Sequence, residues 1–353
     1  MSKSGYNAIS RLLHRIALQP KAIAEISFDI ENTLVNKKEP ALSDNHIFIS
    51  GLARSGTTIL LQYLYETGLF RSLTYLDMPF VLMPNTWKQI TYKKKPSEYK
   101  ERAHRDGIMV GFDSPEAFEE VFWRVFCGEK YICNDRLKLH HVDEEVLKKF
   151  KDHVSNILLS SNSLNQSRYL SKNNNNVLRF EALQKSMPNS QIIIPFRDPL
   201  QHSISLLDQH LHFSKIQAKD KFSLDYMNWL GHFEFGLNQK PFFLNDEDIF
   251  NEMAAYDKTD INFWLLSWKN YYRYVNDQPI KNSIFFSYEQ FCMAPSSVLG
   301  RLFEILDIEK TYSKPSPFKP VIKISNHFNK DLLEECNVIY KQLEMKQGQW
   351  FKG

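Results

Sequence analysis

The chain has 353 residues, 43% of them hydrophobic and 24% charged, with a formal net charge of +3. That balance supports a sizeable core and excludes a chain disordered by composition. A charge so near neutral also argues against a nucleic-acid binder, which needs a dense basic surface, and favours a local basic pocket for a small anion.

In chain order, residues 5–35 place Ile9, Leu12, Leu13, Ile16 and Ala17 at helical spacing, which predicts a helix packed on the domain. Arg11, His14 and Arg15 interrupt this stretch, so it does not read as a signal peptide. No run approaches the ~20 apolar residues of a membrane span, and a cytoplasmic protein is expected. Residues 46–50 read as a short apolar strand. A Gly loop follows, then a helix over 57–67 with Leu60, Leu61 and Leu64 on one face. Residues 72–79 are expected to form a second strand. Residues 85–165 are rich in Lys, Glu and aromatics and read as a helical insertion. Residues 169–172 look like a strand end, and Asn173 to Asn176 a turn or helix start.

A helix is expected over 178–187, and residues 191–196 form the clearest strand. Asp198 and Pro199 look like the N-cap and first-turn proline of a helix running past His202. Residues 213–255 read as irregular and aromatic-rich, 261–275 as a helix, 283–287 as a strand and 298–306 as a helix. Strands alternating with helices predict an α/β fold with a central, mostly parallel sheet flanked by helices. We read one domain over 1–353, with a core at about 46–306 and insertions at about 85–165 and 213–260.

Cys127, Cys133, Cys292 and Cys336 form no C-x-x-C pair and have no His at zinc spacing, which predicts reduced thiols. His202, His210 and His212 invite a metal reading, but His210 and His212 are two apart and so do not share a helix face, and no metal is expected. The run Lys93 to Lys95 reads as a solvated basic face that could attract an anion.

The chemistry concentrates in two segments. Gly51-Leu-Ala-Arg-Ser-Gly-Thr-Thr58 joins a strand to a helix, where glycines permit close approach and free helix amides face an anion. An ATPase loop carries lysine where this chain has Thr57, and its cation is instead Arg54. Triphosphate chemistry is therefore disfavoured. The plain alternative is a Gly-containing turn with an incidental Arg-Ser-Thr-Thr. In the second segment, Arg197 ends a strand and Ser205 lies eight residues on, about two helical turns along. An arginine fork and a hydroxyl suit one phosphate, although Arg197 could instead pair locally with Asp198. Both segments lie at strand-to-helix junctions, where open α/β sheets bind ligands.

Together the two segments resemble the sulfotransferase superfamily, particularly its bacterial and Golgi-type branches, over about residues 46–306. The resemblance implies a P-loop-like sulfotransferase fold and 3′-phosphoadenosine 5′-phosphosulfate (PAPS) as sulfuryl donor. It implies that Gly51, Arg54, Ser55, Gly56, Thr57 and Thr58 hold the 5′-phosphosulfate, and Arg197 and Ser205 the 3′-phosphate. Lys172 resembles the family's lysine near the sulfuryl group, or else is a solvated strand-end lysine. The carboxylate after the second strand implies Asp77 as general base, unless it only caps the next turn. The cytosolic branch's C-terminal R-K-G element is missing, with Lys323 and Lys330 as candidate substitutes. The acceptor is a hydroxyl or amine on a saccharide, lipid, peptide or small metabolite, reached beneath the two insertions. A P-loop nucleotide kinase or NTPase, and a non-catalytic nucleotide-binding protein, are the alternatives.

Overall fold

The computed structural model describes residues 7–35, 44–91, 99–101, 107–309, 322 and 327–351. Lys93 to Lys95 and Lys323 lie outside them. Five parallel strands form the main sheet: β1 (Ile47–Ile49), β2 (Phe70–Arg71), β3 (Arg168–Lys172), β4 (Gln191–Phe196) and β5 (Ser283–Ser287). Their spatial order is β2-β3-β1-β4-β5, so the first strand lies in the middle. Burial on both faces explains why β1 and β4 read as unbroken apolar runs rather than alternating ones. Side chains still alternate across the sheet. Phe48, Ile192, Ile194 and Phe285 face one core, and Ile47, Ile49, Ile193, Ile284 and Phe286 the other.

The larger helices are α1 (Ala8–Leu18), α2 (Lys21–Leu34), α3 (Thr57–Glu66), α4 (Glu120–Tyr131), α5 (Glu144–Leu159), α6 (Pro199–Gln217), α7 (Ile261–Asp277) and α8 (Lys330–Phe351). Helix α3 covers the second core with Leu60, Leu61 and Leu64. Helices α4, α5, α7 and α8 contribute to the first core, through residues such as Trp123, Phe150, Trp268 and Leu343. The α/β architecture read from the alternation of elements is the one observed.

Three local expectations change. The second strand pairs only at Phe70–Arg71, and Tyr75–Asp77 forms a 3-10 turn. Thr74 and Asp77 close a reciprocal capping box there. The neighbouring backbone pairs with the first insertion, the Glu116 amide donating to the Leu73 carbonyl at 3.1 Å and the Leu76 amide to the Phe112 carbonyl at 2.8 Å. The segment expected to be irregular contains helices Lys221–Trp229 and Glu247–Ala254, capped by the carboxylates of Asp220 and Asp246. Helix α8 was not foreseen; it packs on α7 and buries Leu332, Cys336 and Leu343. All four cysteines are unpaired.

The core holds histidines that burial keeps neutral. His153 and His202 are fully buried, and desolvation lowers each pKa to about 3. The unfolded chain binds these protons near the ordinary value of about 6.5, so stability is lost as pH falls from there toward 3. At pH 5 each histidine is expected to cost about 2 kcal/mol relative to neutral pH, from 1.36 kcal/mol per pKa unit. Denaturant titrations at pH 7 and pH 5 check this. Equal stability at the two values would show that both rings titrate near their ordinary value in the native state as well.

Candidate functional site

The C-terminal ends of the parallel strands converge on one edge of the sheet, and the candidate residues are delivered there by different strands. The loop after β1 is shaped by close approach. A side chain at Gly51 would place its Cβ 2.9 Å from the Pro195 carbonyl oxygen and 2.6 Å from Ser55 Oγ. Arg54 (φ 74°) and Gly56 (φ 92°) both adopt left-handed backbone, which brings the loop round to the first turn of α3. Gly56 is the N-cap and has no side chain with which to cap the helix amides. A Cβ on it would also lie 2.8 Å from the Tyr288 ring.

Strand β4 lies beside β1 and ends at Phe196, immediately before Arg197. Asp198 caps α6 by accepting from the Gln201 amide at 2.8 Å, and Pro199 opens the helix. Two turns along, Ser205 Oγ accepts from Arg54 Nε at 3.3 Å. The structure thus brings the two sequence segments into direct contact although 151 residues separate these two positions. His202, between them on α6, bonds through Nε2 to the Ala53 carbonyl at 2.7 Å. A carbonyl only accepts, so the ring donates from Nε2 and braces the loop from below.

The Arg197 guanidinium lies 4.7 Å above the Tyr288 ring, and its buried Nε has no hydrogen-bond partner among the described residues. A buried donor without a partner is costly unless a ligand supplies the acceptor. Together with the uncapped start of α3, it makes this edge a set of donors suited to a phosphate or sulfate ester. Tyr288, which links Gly56 to Arg197, directly follows the strand expected over 283–287, and the sequence reading gives that ring no role. Burial pushes its hydroxyl up to about 12, so it stays neutral. Glu289 accepts the Asp198 amide at 3.0 Å and the Tyr340 hydroxyl at 3.2 Å, tying α8 to the end of β4.

On the other side of β1, Lys172 stands opposite Ile49 in the β3 register. Its Nζ lies 3.7 Å from Glu116 Oε1, with both side chains about one-tenth exposed. Asp77 lies farther out, past β2. Its Oδ1 is 2.6 Å from Arg71, and its Oδ2 accepts from the Thr74 amide at 2.7 Å and the Thr74 hydroxyl at 3.1 Å. Glu116 escapes a sequence reading because it sits within the first insertion, with no motif around it. Lys330 is exposed at the first residue of α8. Among the described residues, no cluster of three or more His, Cys, Asp or Glu could hold a metal, and no helix is long and apolar enough to cross a membrane.

The sequence profile of the sulfotransferase family matches residues 46–312. The chain belongs to the sulfotransferase family. No curated protein matches it. Among solved structures it is similar to a sulfotransferase of Mycobacterium tuberculosis H37Rv, at 12% identity over 99% of this chain and 88% of that one, with a TM-score of 0.49. A sulfotransferase of Mycobacterium avium shares 12% identity over 96% and 78% of the two chains, TM-score 0.46. One of Alicyclobacillus acidocaldarius shares 12% over 88% and 97%, TM-score 0.37.

Proposed function

We propose that this protein transfers the sulfuryl group of PAPS to a hydroxyl or amine acceptor. The observation that carries the reading is the contact of Arg54 with Ser205, beside the Arg197 Nε, which has no partner among the described residues. It unites an anion-binding loop and a second phosphate-binding pair in one site, as a nucleotide phosphorylated at both ends requires. In this reading Gly51, Ser55, Gly56, Thr57 and Thr58 cradle the 5′-phosphosulfate, and Arg197 with Ser205 holds the 3′-phosphate. Bound PAPS supplies an activated sulfur and a bisphosphate leaving group. Arg54 and the loop amides stabilise the charge that builds on the bridging oxygen, and Lys172 flanks the transferring group. A donor in such a position typically contributes about 2.7–4 kcal/mol to lowering the barrier.

The acceptor enters from the side of the insertions, in one domain spanning the chain. A narrow cleft reaches the loop there, bordered by Ala53, Leu206, Phe233, Glu234, Phe242 and Trp264. Phe233, Glu234 and Phe242 come from the second insertion.

Calorimetry with adenosine 3′,5′-bisphosphate, ATP with magnesium and 5′-AMP tests the reading. The bisphosphate is expected to bind most tightly and, at 100 times its Kd, to stabilise the fold by about 2.7 kcal/mol. Binding of ATP alone would identify a nucleotide kinase or NTPase instead. Tight bisphosphate binding without consumption of PAPS would identify a non-catalytic nucleotide-binding protein.

A further inference from the structure

We propose that the acceptor is an organic anion, its negative group held by Lys240 and Lys258 in a cavity beside the cleft; this rests on the sulfotransfer reading above. The cavity has a volume of about 390 Å³, within the roughly 300–1,000 Å³ of small-molecule sites. Both insertions wall it, the first through Asn134 and Asp135 and the second through residues from Leu237 to Lys258. Gln239, Lys240, Pro241 and Met253 border both this cavity and the cleft that reaches Ala53. The cleft itself holds only about 30 Å³, room for a group the size of one or two waters. An acceptor body therefore lodges in the cavity and sends a slim arm, carrying its hydroxyl or amine, toward the loop.

The charge in the cavity calls for an anion. Lys240 and Lys258 are both half-buried, and among the described residues neither is ion-paired with a carboxylate. Their only hydrogen bonds there are to neutral oxygens: Lys258 Nζ donates to the Gln239 carbonyl at 2.6 Å, and Lys240 Nζ to the Asn134 carbonyl. An ammonium has three donors, so each has donors left for a ligand. The carboxylates whose fields reach them are engaged elsewhere. Asp135 Oδ2 accepts from Arg136 Nε at 3.0 Å and Nη2 at 2.6 Å. Asp257 Oδ1 accepts from the Thr259 amide at 2.8 Å and the Thr259 hydroxyl at 2.7 Å. Burial lowers the pKa of both lysines, and the charge of Lys240 lowers that of Lys258 further. This is the response of like charges drawn out of water with too little counter-charge, and a bound anion relieves it.

Gln239 lies between the two lysines in the chain's path, next to Lys240 and bonded through its carbonyl to Lys258. Its side chain is 6% exposed, and Oε1 has no hydrogen-bond partner among the described residues. A buried acceptor left unpaired is costly, and a ligand O–H or N–H satisfies it. Because Gln239 borders both spaces, it meets the acceptor where the arm leaves the cavity. Phe250, Tyr256 and Phe263 supply apolar wall for the body. The chemistry that fits is a small organic acid with a flat apolar body and a hydroxyl or amine on a short arm.

The test is calorimetry with para-(hydroxyethyl)benzoate and its neutral analogue para-(hydroxyethyl)benzamide, each with and without adenosine 3′,5′-bisphosphate. The acid is expected to bind roughly ten- to hundredfold more tightly than the amide, as a hydrogen-bonded charge does. Lys240→Met and Lys258→Met are each expected to erase most of that preference, with affinity for the amide and for the bisphosphate nearly unchanged. Wild-type protein that binds the acid no more tightly than the amide, or binds neither, overturns the proposal. So does a preference that survives in both variants. The wild-type comparison decides the matter even where a variant lacks a cooperative thermal transition. Inorganic phosphate is the control for a free-ion site: binding as tight as that of the acid, and competitive with it, overturns the acceptor assignment. Protein that prefers the acid but does not bind the bisphosphate keeps the lysine pair as an organic-anion site and sinks the sulfotransfer reading. Protein that binds the bisphosphate without preferring the acid sinks only the present proposal.

Discussion

Arg197→Ala is expected to abolish the protein's preference for adenosine 3′,5′-bisphosphate over 5′-AMP. The two ligands differ only in the 3′-phosphate, so a residue that binds that group alters one affinity and spares the other. A hydrogen bond to a charged group contributes about 1.5–3 kcal/mol, which corresponds to roughly a ten- to hundredfold loss for the bisphosphate. The variant should fold normally. Residue 197 bonds to the core through its backbone carbonyl, which accepts from Trp268 Nε1 at 3.1 Å, and alanine keeps that carbonyl. Ser205→Ala should weaken the bisphosphate less, because it removes one neutral hydroxyl. Titration of both nucleotides against wild type and variant decides the matter, and a preserved preference would remove Arg197 from 3′-phosphate recognition.

The largest effect on stability is expected at Glu120, at the start of α4. Arg179 Nη1 and Nη2 donate to its two oxygens at 2.7 and 3.1 Å, and both side chains are essentially fully buried. Asn173 Nδ2 adds a bond at 2.7 Å, and the Tyr131 hydroxyl adds another. The Arg179 guanidinium is also stacked between Trp123 and Tyr131, 4.9 and 4.8 Å from their ring centres. Burial alone pushes the Glu120 carboxyl upward, but the arginine and the surrounding donors outweigh it and hold the pKa below the ordinary value.

Glu120→Ala leaves the Arg179 charge buried without its partner and should cost about 3–5 kcal/mol, read as a lowered denaturant midpoint. The double variant Glu120→Leu with Arg179→Met removes both charges and should recover part of that loss. A single variant as stable as wild type would show that solvent or a neighbouring group rescues Arg179. The sign of the pH dependence follows from the lowered pKa. Glu120 contributes its stabilisation above the unfolded carboxylate range and loses it as pH falls through its own pKa. The network also reaches the site, because Asn173 follows Lys172 and its amide donates to the Ile49 carbonyl at 3.0 Å.

The regular parts of this fold were legible because local rules decide them. The strand, Gly loop and helix over 47–66 combine a buried apolar run, two glycines and an amphipathic turn, and each signal lies within a few residues. The strand over 191–196 and the Asp198-Pro199 helix start are equally local. Residues 72–79 were misread because their partner is the first insertion, some 40 positions away, rather than the strand that precedes them. Helix α8 was missed because its apolar residues are widely spaced and only α7 shows where they pack. Residues 213–255 looked irregular because two short helices are started by aspartate caps rather than by a long apolar stripe.

The candidate site divides in the same way. The sequence by itself singled out two candidate anion-binding segments, each at a strand-to-helix junction, and showed that the loop carries Arg54 and Thr57 in place of an ATPase lysine. Glycine conformation and residue chemistry act over a few bonds, so they can be read without a fold. Only the tertiary structure decided that Arg54 meets Ser205, that Tyr288 lies beneath Arg197, that His202 braces the loop, and that Asp77 is committed to Arg71 and Thr74. Only it showed that Lys172 faces Glu116. Those meetings depend on strand order and on the path of the first insertion. Both are set by burial of the whole chain's apolar surface, a sum over many distant contacts that no short stretch of sequence encodes.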